Sequence, residues 1–148
     1  MIHRIYIDTS VIGGPFGIEF SDDTKPFFAK VEKAEIKIVY SEITTEELAD
    51  APEKVRDYLN GLTSKQKEFV QIRQEAVNLA DTYIREKVVG KTSRVDCIHI
   101  AMATINKADI LVSWNFKHIV NINRIRGYNS VNLKLGHATL EIRTLKEI

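Results

Sequence analysis

Short apolar runs rich in Ile, Val and Tyr occur at about residues 4–8, 36–40 and 109–114, with longer helix-like stretches between them. Strands buried on both faces read as continuous apolar runs, so this alternation predicts an α/β fold in which helices cover a parallel sheet. The first connection opens with the turn signal Gly13-Gly14-Pro15, and Asp22 or Asp23 caps a helix over about 25–33 with Pro26 in its first turn. A second helix begins near Thr44, and Pro52 marks either its end or the first turn of another that runs to Asn60-Gly61. Over about 74–87 the residues Ala76, Leu79, Ala80, Tyr83 and Ile84 form an apolar stripe, which Gly90 ends. Ser93 with Asp96 three positions on resembles a capping box, opening a helix to about Asn106. That helix is apolar around most of its circumference and is expected to be central. A last helix near 120–135 and a short strand over 140–144 complete the chain, with no repeat, low-complexity tract or linker.

At 148 residues, one domain spanning 1–148 is expected, burying roughly two thirds of its unfolded surface. With 44% hydrophobic and 28% charged residues, and no apolar run near the roughly 20 residues a bilayer requires, the composition is that of a globular protein without a membrane span. The first residues enter a strand directly and lack the regions of a signal peptide, so a cytoplasmic location is the expectation. A lone cysteine, Cys97, flanked by Ile98 and Ile100, reads as a packed thiol and makes disulfide or redox chemistry unsupported.

Net charge is +1, but its distribution is uneven. Residues 42–53 carry Glu42, Glu46, Glu47, Asp50 and Glu53 with no Lys or Arg, whereas residues 116–136 carry Lys117, Arg124, Arg126 and Lys134 with no acid. One segment suits cations and the other phosphates; two solvated helix faces account for the same pattern.

Chemistry concentrates where strands end. Ligands bind outside the carboxyl ends of strands in an open parallel sheet, and there the chain places Asp8 and Ser10, Ser41, and Ser113 with Asn115. An acid of the second helix, Glu46 or Glu47, and Asp96 in the first turn of the central helix are able to face the same edge. Carboxylates in apolar surroundings are costly unless they are paired, hydrogen-bonded or bound to a cation. Such oxygen donors suit magnesium, which keeps several waters and takes few protein carboxylates; one cysteine and four scattered histidines are a poor zinc set. Each residue also has a plainer role: Asp8 closing a turn, Asp96 partnering the helix cap, Asp109 ending a loop. His99 reads as packed and hydrogen-bonded, Trp114 as core or rim, and the apolar faces near Phe27, Phe28 and Tyr58 as either core or interface.

These residues resemble the motifs of the PIN-domain ribonucleases, in particular VapC-like toxins. Ile5-Tyr6-Ile7-Asp8-Thr9-Ser10 resembles the first motif, and Ser41-Glu42-Ile43-Thr44-Thr45-Glu46-Glu47-Leu48 the second, which selects Glu47 over Glu46. Val95 to Ala103 is similar to the third and Ala108 to Phe116 to the fourth, so the likeness spans nearly the whole chain. The resemblance implies a three-layer α/β/α sandwich with a central, mostly parallel sheet. It further implies Mg2+- or Mn2+-dependent endoribonuclease activity on RNA, homodimerisation, and inhibition by a small antitoxin. By the same likeness Asp8, Glu47 and Asp96 are metal ligands and Ser10 or Ser113 assists a ligand or phosphate. The chain departs from the family at Asn115, where many relatives carry a fourth acid; the lost charge predicts one protein-held ion, and two tight sites without RNA would overturn that. Asn115 is still counted with the catalytic set, because its neutral oxygen suits a metal or a ligating water, and Lys117, His118, Arg124 and Arg126 just beyond it suit phosphate contacts.

Two other functions compete. A catalytically degenerate RNA- or partner-binding domain would keep the fold and tolerate Asn115. An aspartyl phosphatase using Asp8 as nucleophile fits less well, since such enzymes place a second Asp two residues on and this chain has Ser10 there.

Overall fold

The computed structural model describes residues 2–13 and 21–148, so Gly14 and Pro15 of the expected turn lie outside the described residues. Its strands are β1 (His3–Ile7), β2 (Ile36–Ser41), β3 (Lys67–Val70), β4 (Ile110–Val112) and β5 (Glu141–Arg143). They form one sheet in the order β3-β2-β1-β4-β5, and every pairing is parallel. The helices are α1 (Thr9–Gly13), α2 (Ser21–Glu32), α3 (Glu42–Glu47), α4 (Glu53–Gly61), α5 (Gln74–Arg85), α6 (Arg94–Ile105) and α7 (Ile122–Lys134).

Alternation along β1 assigns its residues to two layers. Ile5 and Ile7 point into a core built with Phe27, Phe28 and Val31 of α2 and Val55 and Leu59 of α4. Tyr6 points the other way, into a core built with α5, α6 and α7. Phe27 and Phe28 are thus core residues, with the Phe28 ring edge-on to Tyr58 at 5.4 Å. Burial of each such aliphatic or aromatic side chain contributes about 1.5–3 kcal/mol, which is why the most apolar runs take the middle of the sheet. α6 is buried from Cys97 through Thr104, as its all-round apolar sequence predicts.

Several boundaries differ from the sequence expectation. α2 begins at Ser21, so Pro26 lies inside the helix rather than in its first turn. Its missing N–H leaves the Asp22 carbonyl without the usual partner, and packing of Phe27, Phe28 and Val31 on the sheet offsets the loss. α3 begins at Glu42 rather than Thr44, with Ser41 as its cap and the Ser41 N–H donating to Thr44 Oγ1 at 3.4 Å. Ser93 caps α6 by position but makes no side-chain capping bond, because it ends a 3-10 turn at φ -100° and ψ 19°, away from the extended backbone of a capping residue.

α5 ends at Arg85, before Gly90, and the reason is shared by four helices. At the ends of α2, α5, α6 and α7 the residues Ala34, Lys87, Lys107 and Gly136 have φ of 56°, 62°, 54° and 87°. Each N–H bonds back three residues and the next N–H bonds back five, as in Glu35 to Lys30 at 3.0 Å and Val88 to Tyr83 at 3.0 Å. This is the Schellman arrangement that glycine usually serves, and only α7 uses one. Ala34→Gly is therefore expected to stabilise the fold by about 0.5–1 kcal/mol, relief of left-handed strain outweighing the added freedom of the unfolded chain. A urea midpoint that falls in this variant would contradict that account.

Candidate functional site

Register assembles the site. One step beyond the Ile7–Val112 pairing sets Ser113 opposite Asp8, and two steps beyond Tyr6–Val39 set Ser41 on its other side. All three share the face of Tyr6 by alternation, the face that α6 covers. The strand order turns outward on either side of β1, so Asp8 stands at the switch between β1 and β4, where open α/β sheets bind ligands.

Asp8 is 5% exposed and held at both oxygens. The Ser10 hydroxyl donates to Oδ1 at 2.6 Å and the Ser113 hydroxyl to Oδ2 at 2.9 Å. Each hydroxyl in turn accepts a backbone N–H, from Trp114 at 3.0 Å and Asn115 at 2.9 Å. Both serine protons are thereby free to point at Asp8, and the two serines orient the carboxylate. Even so, burial pushes the Asp8 carboxyl above its ordinary range, and repulsion from Asp96 adds to this against the pull of the two hydroxyls and His99.

Asp96, in the first turn of α6, is half-buried and also raised, by burial first and by the Glu47 charge, against attraction from His118 and His99 and a hydrogen bond with Asn115. Asn115 Oδ1 accepts the N–H groups of Lys117 at 3.2 Å and His118 at 3.0 Å, which leaves its amide NH2 as the group to meet Asp96. The position therefore donates to a carboxylate, and its oxygen is engaged with backbone.

Glu47, the last residue of α3, has a side chain 39% exposed. Its Oε1 accepts from Thr9 Oγ1 at 2.6 Å and meets His99 Nε2 at 2.8 Å. Burial pushes its carboxyl up, but the His99 and Thr9 hydrogen bonds outweigh that and hold it below the ordinary range. His99 is 2% exposed and bonded through both ring nitrogens, Nδ1 lying 2.8 Å from Tyr6 Oη, which is 2.9 Å from Ser41 Oγ. Among the described residues no three of the His, Cys, Asp and Glu side chains stand close enough together to enclose an ion. Asp8 instead feels the charge of Asp96, and Asp96 that of Glu47, so the three acids neighbour one another without closing round an ion.

The remaining candidates separate. Lys117, two residues beyond Asn115, and Arg126 on α7 are exposed, whereas Arg124 donates to the Val88 carbonyl and Lys134 pairs with Glu86 at 3.1 Å. Glu42 accepts the Ile72 N–H at 2.8 Å and so ties α3 to the segment after β3. Asp109 accepts the Arg4 N–H at 2.7 Å at the opposite end of the sheet, and Trp114 is 5% exposed in the core, both as expected. Cys97 is buried, its thiol pushed up to about 12 chiefly by burial, as expected of a packed thiol. Tyr6 and Thr9 escaped the sequence reading, although Tyr6 lies two residues before Asp8 and thus on its face.

No protein-family model and no curated protein matches the chain. Among the solved structures that match its fold are two crystal structures. One is VapBC2 from Rickettsia felis bound to a DNA fragment from their promoter, with TM-score 0.58 and 14% identity over 95% of this chain and 98% of that one. The other is DNA-bound VapBC from Salmonella typhimurium, with TM-score 0.55 and 16% identity over 98% of this chain and 99% of that one. The five-stranded, all-parallel sheet and these matches agree on one architecture: the chain has the α/β fold of the VapBC structures that it matches.

Proposed function

We propose that the chain is a metal-dependent endoribonuclease that hydrolyses RNA phosphodiester bonds, the toxin of a toxin–antitoxin pair, working in the cytoplasm. The observation that carries this reading is the buried Asp8, clamped by two serines at the switch of the sheet and pressed upward by its burial, to which the charge of Asp96 adds. Two desolvated carboxylates that repel each other are an arrangement a divalent cation relieves, and magnesium commonly binds through one or two carboxylates plus water and phosphate. The donor set fits on that ground: Asp8 and Asp96 would hold Mg2+ or Mn2+, with Glu47 as a third carboxylate reached directly or through water. Bound there, such an ion supplies a hydroxide from water and offsets charge on the phosphorane-like transition state. Ser10 and Ser113 keep Asp8 in one orientation, Asn115 steadies Asp96, and the exposed Lys117 and Arg126 suit the phosphates of an RNA strand. The matched structures are VapBC complexes, which supports a small antitoxin as partner, and a homodimer is part of the same proposal. Among the described residues no helix is long and apolar enough to cross a membrane.

Asn115 favours one second reading, a degenerate binding domain, because an amide stands where a fourth acid is expected. The two readings separate in one assay, partner-free protein incubated with structured RNA and Mg2+ or Mn2+. Cleavage that stops with chelator and returns with excess metal is the expected result. RNA retained without cleavage at any metal concentration would move the conclusion to the binding domain.

A further inference from the structure

The chain of hydrogen bonds from Ser41 to Glu47 runs in one direction when His99 carries a single proton. An ionised Glu47 only accepts, and Thr9 already donates to its Oε1, so His99 meets that oxygen with a proton on Nε2. In a neutral imidazole Nδ1 is then an acceptor. With the ring neutral, Tyr6 donates its hydroxyl proton to Nδ1 and Ser41 donates to Tyr6. Every hydroxyl proton is committed, and His99, Tyr6 and Ser41 are all buried, so water does not compete for these links. The ring is also held sideways by the Tyr6 ring, edge-on at 5.7 Å and 64°. At its far end this buried chain meets a glutamate that is otherwise partly exposed.

We propose that His99 is a positioning residue that fixes Glu47 through Oε1, so that Oε2 alone is left for Glu47 to offer beside Asp8 and Asp96. This rests on the nuclease reading. Among the described residues Oε2 takes no hydrogen bond, while Oε1 takes two. An unheld glutamate at the end of a six-residue helix would wander among rotamers and turn either oxygen to the site. His99, three residues after Asp96 on α6, links the position of Glu47 to the helix that carries Asp96.

The test begins on the metal-free wild-type protein. Two-bond 1H–15N spectra of the imidazole are expected to show His99 protonated at Nε2, with that proton shifting when Glu47→Gln is introduced on the exposed end of the contact. An Nδ1-protonated ring, or a resonance indifferent to Glu47→Gln, overturns the proposal without requiring any buried substitution to fold. Asparagine and glutamine then divide the two ring nitrogens between them: His99→Gln retains a donor near the Nε2 position, and His99→Asn retains a partner for Tyr6 only. His99→Asn is expected to lose about 10–100-fold in Mn2+ affinity and in kcat, the usual range for a residue that orients a ligand, with His99→Gln closer to wild type. Equal losses in both variants would show that His99 acts by packing, and equal wild-type behaviour would show that it positions nothing; either result overturns the proposal. Cleavage that survives Asp8→Asn overturns the nuclease reading instead, and leaves the tautomer result standing.

Discussion

Asp8→Asn is expected to lower RNA cleavage by at least about 10^3-fold, beyond the 10–100-fold typical of groups that only support a ligand, and to flatten the pH dependence of stability. Both effects come from the same carboxylate. Asparagine removes the charge that would bind the cation, and single-turnover cleavage with saturating Mn2+ reads that loss directly. The stability effect has a definite sign. Burial, joined by Asp96, raises the folded-state pKa of Asp8, so between its unfolded and folded values the native state holds more protons than the unfolded chain. Unfolding free energy then falls as pH rises through that window, and the full cost of the buried charge is present above the folded value. Asp8 and Asp96 together should make the metal-free wild type gain stability in mild acid, against the opposite contribution of Glu47, whose carboxyl is held low. Asp8→Asn should lose part of that slope, keeping the part that belongs to Asp96, which is raised in the same direction. Asparagine does not fit the serine clamp perfectly, because its NH2 would face a hydroxyl already aimed inward, so the variant is not simply stabilised. Melts in chelator across pH check the slope; a variant that cleaves at the wild-type rate would remove Asp8 from the reaction.

The central strands and Asp8 were legible in the sequence for one physical reason, whereas Asp96 was legible as an acid opening an apolar helix. A strand buried on both faces has an uninterrupted apolar run, and a carboxylate at its end has no solvent to explain it, as with Ile5-Tyr6-Ile7-Asp8. β3 was invisible on the same ground. It is an edge strand in which only Val70 is buried; Lys67 reaches back to the Leu59 carbonyl at 2.9 Å and Glu68 takes a two-point bond from Arg4. The end of α5 was overrun because its left-handed residue is Lys87 in place of glycine, whereas α6 ends within a residue of the expected Asn106. That His99 would be packed and hydrogen-bonded was readable from its apolar neighbours. Its partners were not, since Tyr6 lies 93 positions away and only the sheet register brings the two together. The same limit applies to Asn115: its identity was plain as a missing acid, whereas the direction of its amide toward Asp96 depends on a turn that engages its oxygen with Lys117 and His118.

That orientation gives Asn115→Asp two opposed consequences. Aspartate can still accept the two backbone N–H groups, but it loses the NH2 that meets Asp96 and puts a second charge against a half-buried carboxylate already pushed above its ordinary range. Without metal the variant should lose about 1–3 kcal/mol at neutral pH, the cost of an unmet buried group joined by like-charge repulsion. Much of that loss should return as pH falls and the new pair takes up a proton. With Mn2+ the balance reverses, because a further negative oxygen strengthens the hold on a divalent ion; affinity should rise by about 10-fold or more, which is worth about 1.4 kcal/mol of added stability at saturating metal. Calorimetric titration and paired melts with Mn2+ and with chelator measure the two arms separately. A variant weakened without metal and strengthened with it would identify Asn115 as a trade of metal affinity for metal-free stability. If instead Mn2+ binding weakens, the amide itself belongs to the ion's surroundings, and the view of this position as a lost acid fails. Cleavage that appears in the variant but not in wild type would make Asn115 the residue that silences the site, and the binding-domain reading would then describe the natural protein.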